Sequence, residues 1–273
     1  MVTMSSGVGM NETTLWPLVR QRLRTLCGLV LEENQSYLLS RLEPVARTHG
    51  FPSVPLFLSA ALAGGRDDLD AALVETMTTH ESSFFRDPVF WETIRTRIGP
   101  ALASLGRPIR IWSAACSTGQ EVYSMAILLT THFPNLPFEI WATDIAQDTL
   151  ARATSGVFTK VEVERGLTPV QLQRHFEPVA GGYRVVEALR KAIRFDVYNL
   201  LFAAHPLRQF DVICCRNVLV YFDDPSREKV MRRLQGALSP EGWLGLGATE
   251  LPVKETVGLR RLSDGAGWLE CTR

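Results

Sequence analysis

The chain runs to 273 residues, 46% of them hydrophobic and 21% charged, which is enough to bury a real core in one large domain or two small ones. Its 29 Lys+Arg balance 29 Asp+Glu, so no global basic field recommends a nucleic acid as partner. Met1 to Met10 lacks a basic n-region and an apolar h-region, no apolar run approaches the roughly 18 residues of a membrane span, and the five cysteines (Cys27, Cys116, Cys214, Cys215, Cys271) are an odd number; a cytoplasmic protein with reduced thiols and no direct membrane insertion is expected.

Residues 11–79 read as an all-helical N-terminal domain. Leu15, Leu18, Val19, Leu23 and Leu26 recur every three or four positions with Arg20, Arg22 and Arg24 between them, the signature of an amphipathic helix. Further helices are expected over Tyr37 to Thr48, Pro55 to Ala63 and Asp67 to Met77, separated by Gly50-Phe51-Pro52 and Gly64-Gly65. Asp87-Pro88 then signals a helix start: Asp87 caps, Pro88 fits the first turn, and Phe90, Trp91, Ile94 and Ile98 supply the buried stripe until Gly99-Pro100 interrupts it.

From Arg107 short apolar runs alternate with helical stretches, which points to βαβ units and a largely parallel sheet across residues 80–273. Strands are expected at Ile109 to Ser113, Phe138 to Thr143, Ile193 to Val197, Phe210 to Cys215 and Trp243 to Leu246. Leu259 to Leu262 and Trp268 to Cys271 follow without a helix between them, which implies an antiparallel closing pair. Residues 156–192 are too long for a plain crossover, and their Gly181-Gly182 turn between apolar flanks suggests a small β subdomain. Ser239-Pro240-Glu241-Gly242 reads as a turn, and Asp224-Pro225 as a cap followed by a helix start.

Chemistry is suggested first at Ile111-Trp112-Ser113-Ala114-Ala115-Cys116-Ser117-Thr118-Gly119-Gln120-Glu121, a strand passing through small residues into a helix. Small side chains let a ligand approach the backbone, but a pyrophosphate needs G-x-G-x-x-G and only Gly119 is present, so a dinucleotide is disfavoured. A phosphate-free ligand with an amino-acid part and a ribose, such as S-adenosylmethionine, needs no such pattern. Glu121 is placed either to accept from its ammonium group or to complement the helix dipole. Asp144, ending the second strand, is placed for ribose hydroxyls or as a helix cap, and Asn199, Leu200, Arg216 and Asn217 follow later strands into the same crevice. No spacing of His or Cys suggests a metal.

Four segments then resemble the CheR family of chemoreceptor methyltransferases: Thr78-Thr79-His80-Glu81-Ser82-Ser83-Phe84-Phe85-Arg86-Asp87, Ser113 to Ser124, Ala142-Thr143-Asp144-Ile145, and Phe210 to Asp223 with Arg216-Asn217-Val218-Leu219-Val220-Tyr221-Phe222. The first and last are similar to elements particular to that family. The resemblance implies a class I S-adenosylmethionine-dependent methyltransferase (Rossmann-like) α/β domain with a small antiparallel β insertion, preceded by the helical domain. It implies methyl transfer from S-adenosylmethionine to glutamate side chains of a methyl-accepting chemotaxis protein, giving the γ-methyl ester and S-adenosylhomocysteine. By position it assigns cofactor contacts to His80, Ser82, Arg86, Glu121, Asp144, Asn199, Leu200, Arg216 and Asn217, and the positioning of the reacting groups to Arg86 and Tyr221. His80 stands where the family usually has Asn, and Ser82 where it has Thr. The implied partner is the cytoplasmic helical domain of the receptor, met by a basic face including Arg20, Arg22, Arg24, Arg41 and Arg47; a monomer is expected. The alternatives are a non-catalytic S-adenosylmethionine-binding signalling module and a nucleic-acid methyltransferase, the latter lacking a basic excess and an Asn/Asp-Pro-Pro-aromatic motif.

Overall fold

The computed structural model describes residues 12–204, 206, 208–250, 257–263 and 267–272, and the chain divides into two compact units, Met1–Thr79 and His80–Arg273. In the first, the helix Glu12–Cys27 buries Leu15, Val19 and Leu23 as one stripe and packs on the helices Val54–Ala63 and Asp67–Met77. Arg22 is not free for a basic face: its Nε and Nη2 donate to the two oxygens of Asp70 at 2.9 and 2.5 Å, tying the first helix to the last. The stretch expected as one helix over Tyr37 to Thr48 is instead a 3-10 segment Glu33–Arg41 followed by an α-helix Leu42–Thr48. Pro44 accounts for the break, since proline lacks an N–H and is tolerated only in a helix's first turn.

In the second unit the helix Pro88–Thr93 passes through a π turn, Ile94–Ile98, into Gly99–Ala103. The widened turn carries the helix past Gly99-Pro100, where an interruption was expected. Ten strands follow in chain order: β1 Ile109–Ala114, β2 Phe138–Asp144, β3 Val157–Phe158, β4 Phe176–Val179, β5 Gly182–Val185, β6 Ile193–Val197, β7 Phe210–Cys215, β8 Leu238–Leu246, β9 Leu259–Arg261 and β10 Trp268–Cys271. Seven form one sheet in the order β6-β2-β1-β7-β8-β10-β9. The pairs from β6 to β8 are parallel, and β10 closes antiparallel on β8 and β9. The largely parallel sheet with an antiparallel closing edge is what the alternating pattern predicts, and the arrangement agrees with the class I fold that the family resemblance implies. The chain winds outward from β1 to β6 and returns to β7, so the topological switch lies between β1 and β7, where ligands of doubly wound sheets bind beyond the strand C-termini.

Both sheet faces are covered. Phe90, Ile94, Ile111, Val122, Ile127, Val212 and Trp268 belong to the core on one side, and Trp112, Phe210, Ile213, Leu219, Val230 and Leu244 to the core on the other. Ser239 to Gly242 is no separate turn: β8 starts directly after the helix Asp224–Ala237 and takes the tetrapeptide as a bulge against β7, with Glu241 at φ 61°. That helix is capped by Asp223, whose Oδ1 accepts from the Ser226 amide at 3.0 Å; Asp224 is its first residue. The insertion is a three-stranded antiparallel sheet, β3-β5-β4. Phe84 packs edge-on against Phe158 and Phe176 at ring distances of 4.9 and 5.6 Å, joining the segment before Arg86 to it. Among the described residues no helix is long and apolar enough to cross a membrane.

Candidate active site

Five of the six described non-glycine residues with left-handed φ lie in the loops beyond β1 and β7 or in the segment before Pro88: Phe85 (49°), Asp87 (61°), Ala115 (68°), Ser117 (50°) and Asn217 (59°). Such conformations are unfavourable for residues with a Cβ and concentrate where surrounding structure fixes a site. Small residues after β1 make the tight path possible. The Cys116 amide donates to the Thr143 carbonyl at 2.8 Å, and Gly119, at φ 96°, turns the chain into the helix Gln120–His132.

Asp144 ends β2 against this loop. Its Oδ2 accepts from the Ser117 amide at 2.8 Å and its Oδ1 from the Ala146 amide at 3.1 Å. It does not cap the next helix, Gln147–Ser155, whose N-cap is Ala146. Burial pushes the Asp144 carboxyl above the usual carboxylate range; the amides of Ala146 and Ser117 and the nearby His80 oppose that rise. The Ser117 hydroxyl also donates to the His80 carbonyl at 3.1 Å, so His80 is held beside the loop.

Glu121 and Arg216 are joined. Glu121 Oε1 accepts from the Ser113 hydroxyl at 2.9 Å and Oε2 from Arg216 Nη1 at 3.1 Å. Arg216 Nη2 donates to Asp87 Oδ2 at 2.5 Å and to the Arg86 carbonyl at 3.2 Å, and its guanidinium lies 4.0 Å from the centre of the Phe90 ring. Its buried Nε has no acceptor among the described residues. Asp87 therefore pairs with Arg216 instead of capping the helix it precedes. Trp91 Nε1 also donates to the Arg86 carbonyl, at 2.8 Å, so the Arg86 backbone is clamped while its side chain is exposed.

Asn199 and Leu200 follow β6, which is stitched to β2 by the Tyr198 amide donating to the Asp144 carbonyl at 2.8 Å. Asn199 Oδ1 accepts from the Leu201 and Phe202 amides at 3.0 and 3.3 Å, and Leu200 is buried in the core. Asn217 follows Arg216, Tyr221 ends the 3-10 turn Leu219–Tyr221, and Ser82 is half-buried in the segment before Phe84. The structure thus links Arg86, Glu121 and Arg216 directly, and ties Asp144 to His80 through Ser117. Three participants escape sequence reasoning: Ser113, Asp87 as an ion-pair partner, and Glu250, which accepts hydrogen bonds from the backbone on either side of Val218. Ser113 lies within the small-residue motif; the other two carry no local signal.

The donor set suits a phosphate-free nucleoside ligand. Asp144, ending β2, accepts from the amides of Ser117, Ala146 and Ile145, and Glu121, in the first turn of the helix Gln120–His132, accepts two hydrogen bonds, while a carboxylate offers about four acceptor positions. Positions therefore remain for ribose hydroxyls and an ammonium. A family model described as CheR methyltransferase, SAM binding domain, matches residues 80–263. The chain belongs to the CheR methyltransferase family. Among CheR relatives, Chemotaxis protein methyltransferase 1 of Pseudomonas aeruginosa is 35% identical over 265 residues, spanning 93% of this chain and 94% of the relative. Chemotaxis protein methyltransferase 1 of Vibrio cholerae is 35% identical over 235 residues, 84% of this chain and 86% of the relative. The Chemotaxis protein methyltransferase of Salmonella typhimurium is 32% identical over 273 residues, 90% and 92% respectively. As a CheR domain the second unit uses S-adenosylmethionine, and the protein is a methyltransferase.

Proposed function

We propose that this protein transfers the methyl group of S-adenosylmethionine to γ-carboxylates of glutamates on the cytoplasmic helical domain of a methyl-accepting chemotaxis protein, acting in the cytoplasm as a monomer. Residues 80–273 carry the transfer and residues 11–79 meet the receptor. The observation that carries the reading is that the family match over residues 80–263 covers Asp144, Glu121, Arg216 and the Arg86 segment, all gathered around the switch point of the sheet. Asp144 accepts the ribose hydroxyls and Glu121 the ammonium. His80, Ser82, Asn199, Leu200 and Asn217 line the cofactor, and Arg216 holds Glu121 and the Arg86 backbone in register.

S-adenosylmethionine supplies a methyl group on a sulfonium cation. A glutamate acceptor, with a reference pKa of about 4.3, is already an anion at neutral pH, so no general base is required of the chain. Charge is lost as the bond forms, which favours a water-poor pocket walled by the chain. The main task of the residues is alignment, for which effective molarity offers roughly 7–11 kcal/mol. The exposed Arg86 guanidinium orients a carboxylate through its non-attacking oxygen, since pairing with the attacking oxygen would stabilise the reactant. Tyr221 holds the acceptor by a hydrogen bond and excludes water. Arg86→Ala is expected to lower turnover by about 10²-fold with donor affinity changed less than about threefold, checked by steady-state kinetics beside calorimetry.

The decisive test is incubation with methyl-tritiated S-adenosylmethionine and receptor cytoplasmic fragments, followed by base. Volatile tritiated methanol is expected from the receptor band. Alkali-stable label, or label on nucleic acid alone, would overturn the proposal; donor binding with no label on any receptor would return the signalling-module alternative.

A further inference from the structure

Behind the turn that carries Asn217 and Tyr221 stands a buried carboxylate that forms no ion pair among the described residues. Glu250 is 6% exposed. Its Oε2 accepts from the amides of Asn217 at 2.6 Å and Gly247 at 2.8 Å, and its Oε1 from those of Leu219 at 2.7 Å and Val220 at 3.3 Å. Four amide dipoles thus take the place of a counter-ion. Three of them follow β7 and the fourth follows β8, so one side chain ties two adjacent strand ends together. The stretch it grips has little structure of its own: Asn217 is left-handed at φ 59° and Leu219–Tyr221 is a single 3-10 turn, too short to persist by its own hydrogen bonds. Gly247 admits the carboxylate, for a Cβ there would lie 2.5 Å from Oε2.

We infer that Glu250 is a positioning residue for methyl transfer: it fixes the turn from Asn217 to Tyr221 so that the Asn217 side chain meets the cofactor and the Tyr221 hydroxyl meets the acceptor. This rests on the roles proposed above for those two residues. Glu250 itself touches neither reactant.

The test compares Glu250→Gln, which keeps the volume but turns an NH2 group toward amide donors, with Leu102→Ala, a core control in the helix Gly99–Ala103. Native-state hydrogen exchange, donor calorimetry and receptor labelling are read on the full chain. Glu250→Gln is expected to speed exchange at Leu219, Val220 and Gly247 selectively, to weaken donor binding about tenfold and to lower turnover at least about thirtyfold, whereas Leu102→Ala at a matched loss of melting temperature stays within about threefold of wild type. The turnover losses of Glu250→Gln and Tyr221→Phe are expected to overlap in the double variant instead of multiplying. Folded Glu250→Gln with the affinity and turnover of Leu102→Ala, or losses that multiply fully, would overturn the inference. Should Glu250→Gln not fold, Gly247→Ala, which presses on Oε2 and leaves the charge in place, carries the same expectations. If wild-type protein labels no receptor, the substrate reading fails, while the exchange and donor-affinity arms still decide the case of Glu250.

Discussion

With the ribose contact proposed above, Asp144 would couple cofactor binding to protons. Burial raises its carboxyl in the folded protein, and hydroxyl donors prefer the ionised form. Donor affinity should therefore fall as pH drops through the raised folded pKa, and binding there should release protons, growing in number toward acid; calorimetry in two buffers of different ionisation enthalpy reads both. The stability effect has the opposite sign to that of a salt-bridged carboxylate. The native state holds the proton more tightly than the unfolded chain, so the burial penalty is present above the folded pKa and is relieved as pH falls through it toward the unfolded value of about 3.9. The positions of Asp144 and Glu121 are legible in the sequence, because Glu121 opens the helix after the small-residue loop and Asp144 ends the apolar second strand. Arg216 is legible as a residue of the crevice but not as the partner of Asp87, 129 positions away. The four amides collected by Glu250 are invisible for the same reason: backbone donors have no sequence signature.

At the scale of elements, buried parallel strands announce themselves as continuous apolar runs, and β7, buried at every position from Phe210 to Cys215, is the clearest. The bulge of β8 was hidden because Pro240-Glu241-Gly242 carries turn chemistry, and only pairing with β7 absorbs those residues into the strand. Near that bulge, away from the candidate site, Asp211 accepts from Arg107 Nη1 and Nη2 at 2.9 and 2.6 Å, from the Arg110 amide at 2.9 Å and from the Ser239 hydroxyl at 3.1 Å. Burial alone would raise this carboxyl, but the hydrogen bonds from Arg107, Arg110 and Ser239 outweigh it and hold it below the ordinary range. Its stabilisation is accordingly present above the unfolded pKa and lost as pH falls through the folded one. Asp211→Ala is expected to destabilise by about 2–3 kcal/mol, less than a fully buried pair because Arg107 is partly exposed, and to leave turnover per folded molecule unchanged. Denaturant titration beside kinetics checks both halves.

Across the whole molecule the division into helices first and an α/β unit second was readable from periodicity, whereas the order β6-β2-β1-β7-β8 was constrained by winding rules and not by any one residue. All five cysteines are buried. Burial pushes the thiol of Cys27 up to about 11 and those of Cys116, Cys214 and Cys215 well above their ordinary value. Because the thiolate is the reactive form at those four positions, and burial alone shields Cys271 from reagent, the folded protein should resist alkylation at pH 8 and take up reagent at all five positions only on unfolding, as counted by mass spectrometry. A different pressure would find a different weak point. Ala115 holds a left-handed backbone beside the cofactor loop at φ 68°, a conformation that costs a residue with a Cβ about 1–2 kcal/mol. A library selected for heat survival alone should therefore enrich glycine or asparagine at Ala115, gaining roughly 2–4 °C per kcal/mol recovered. The same winners should turn over more slowly than the parent, so that ruggedness and speed pull this loop's ancestry in opposite directions.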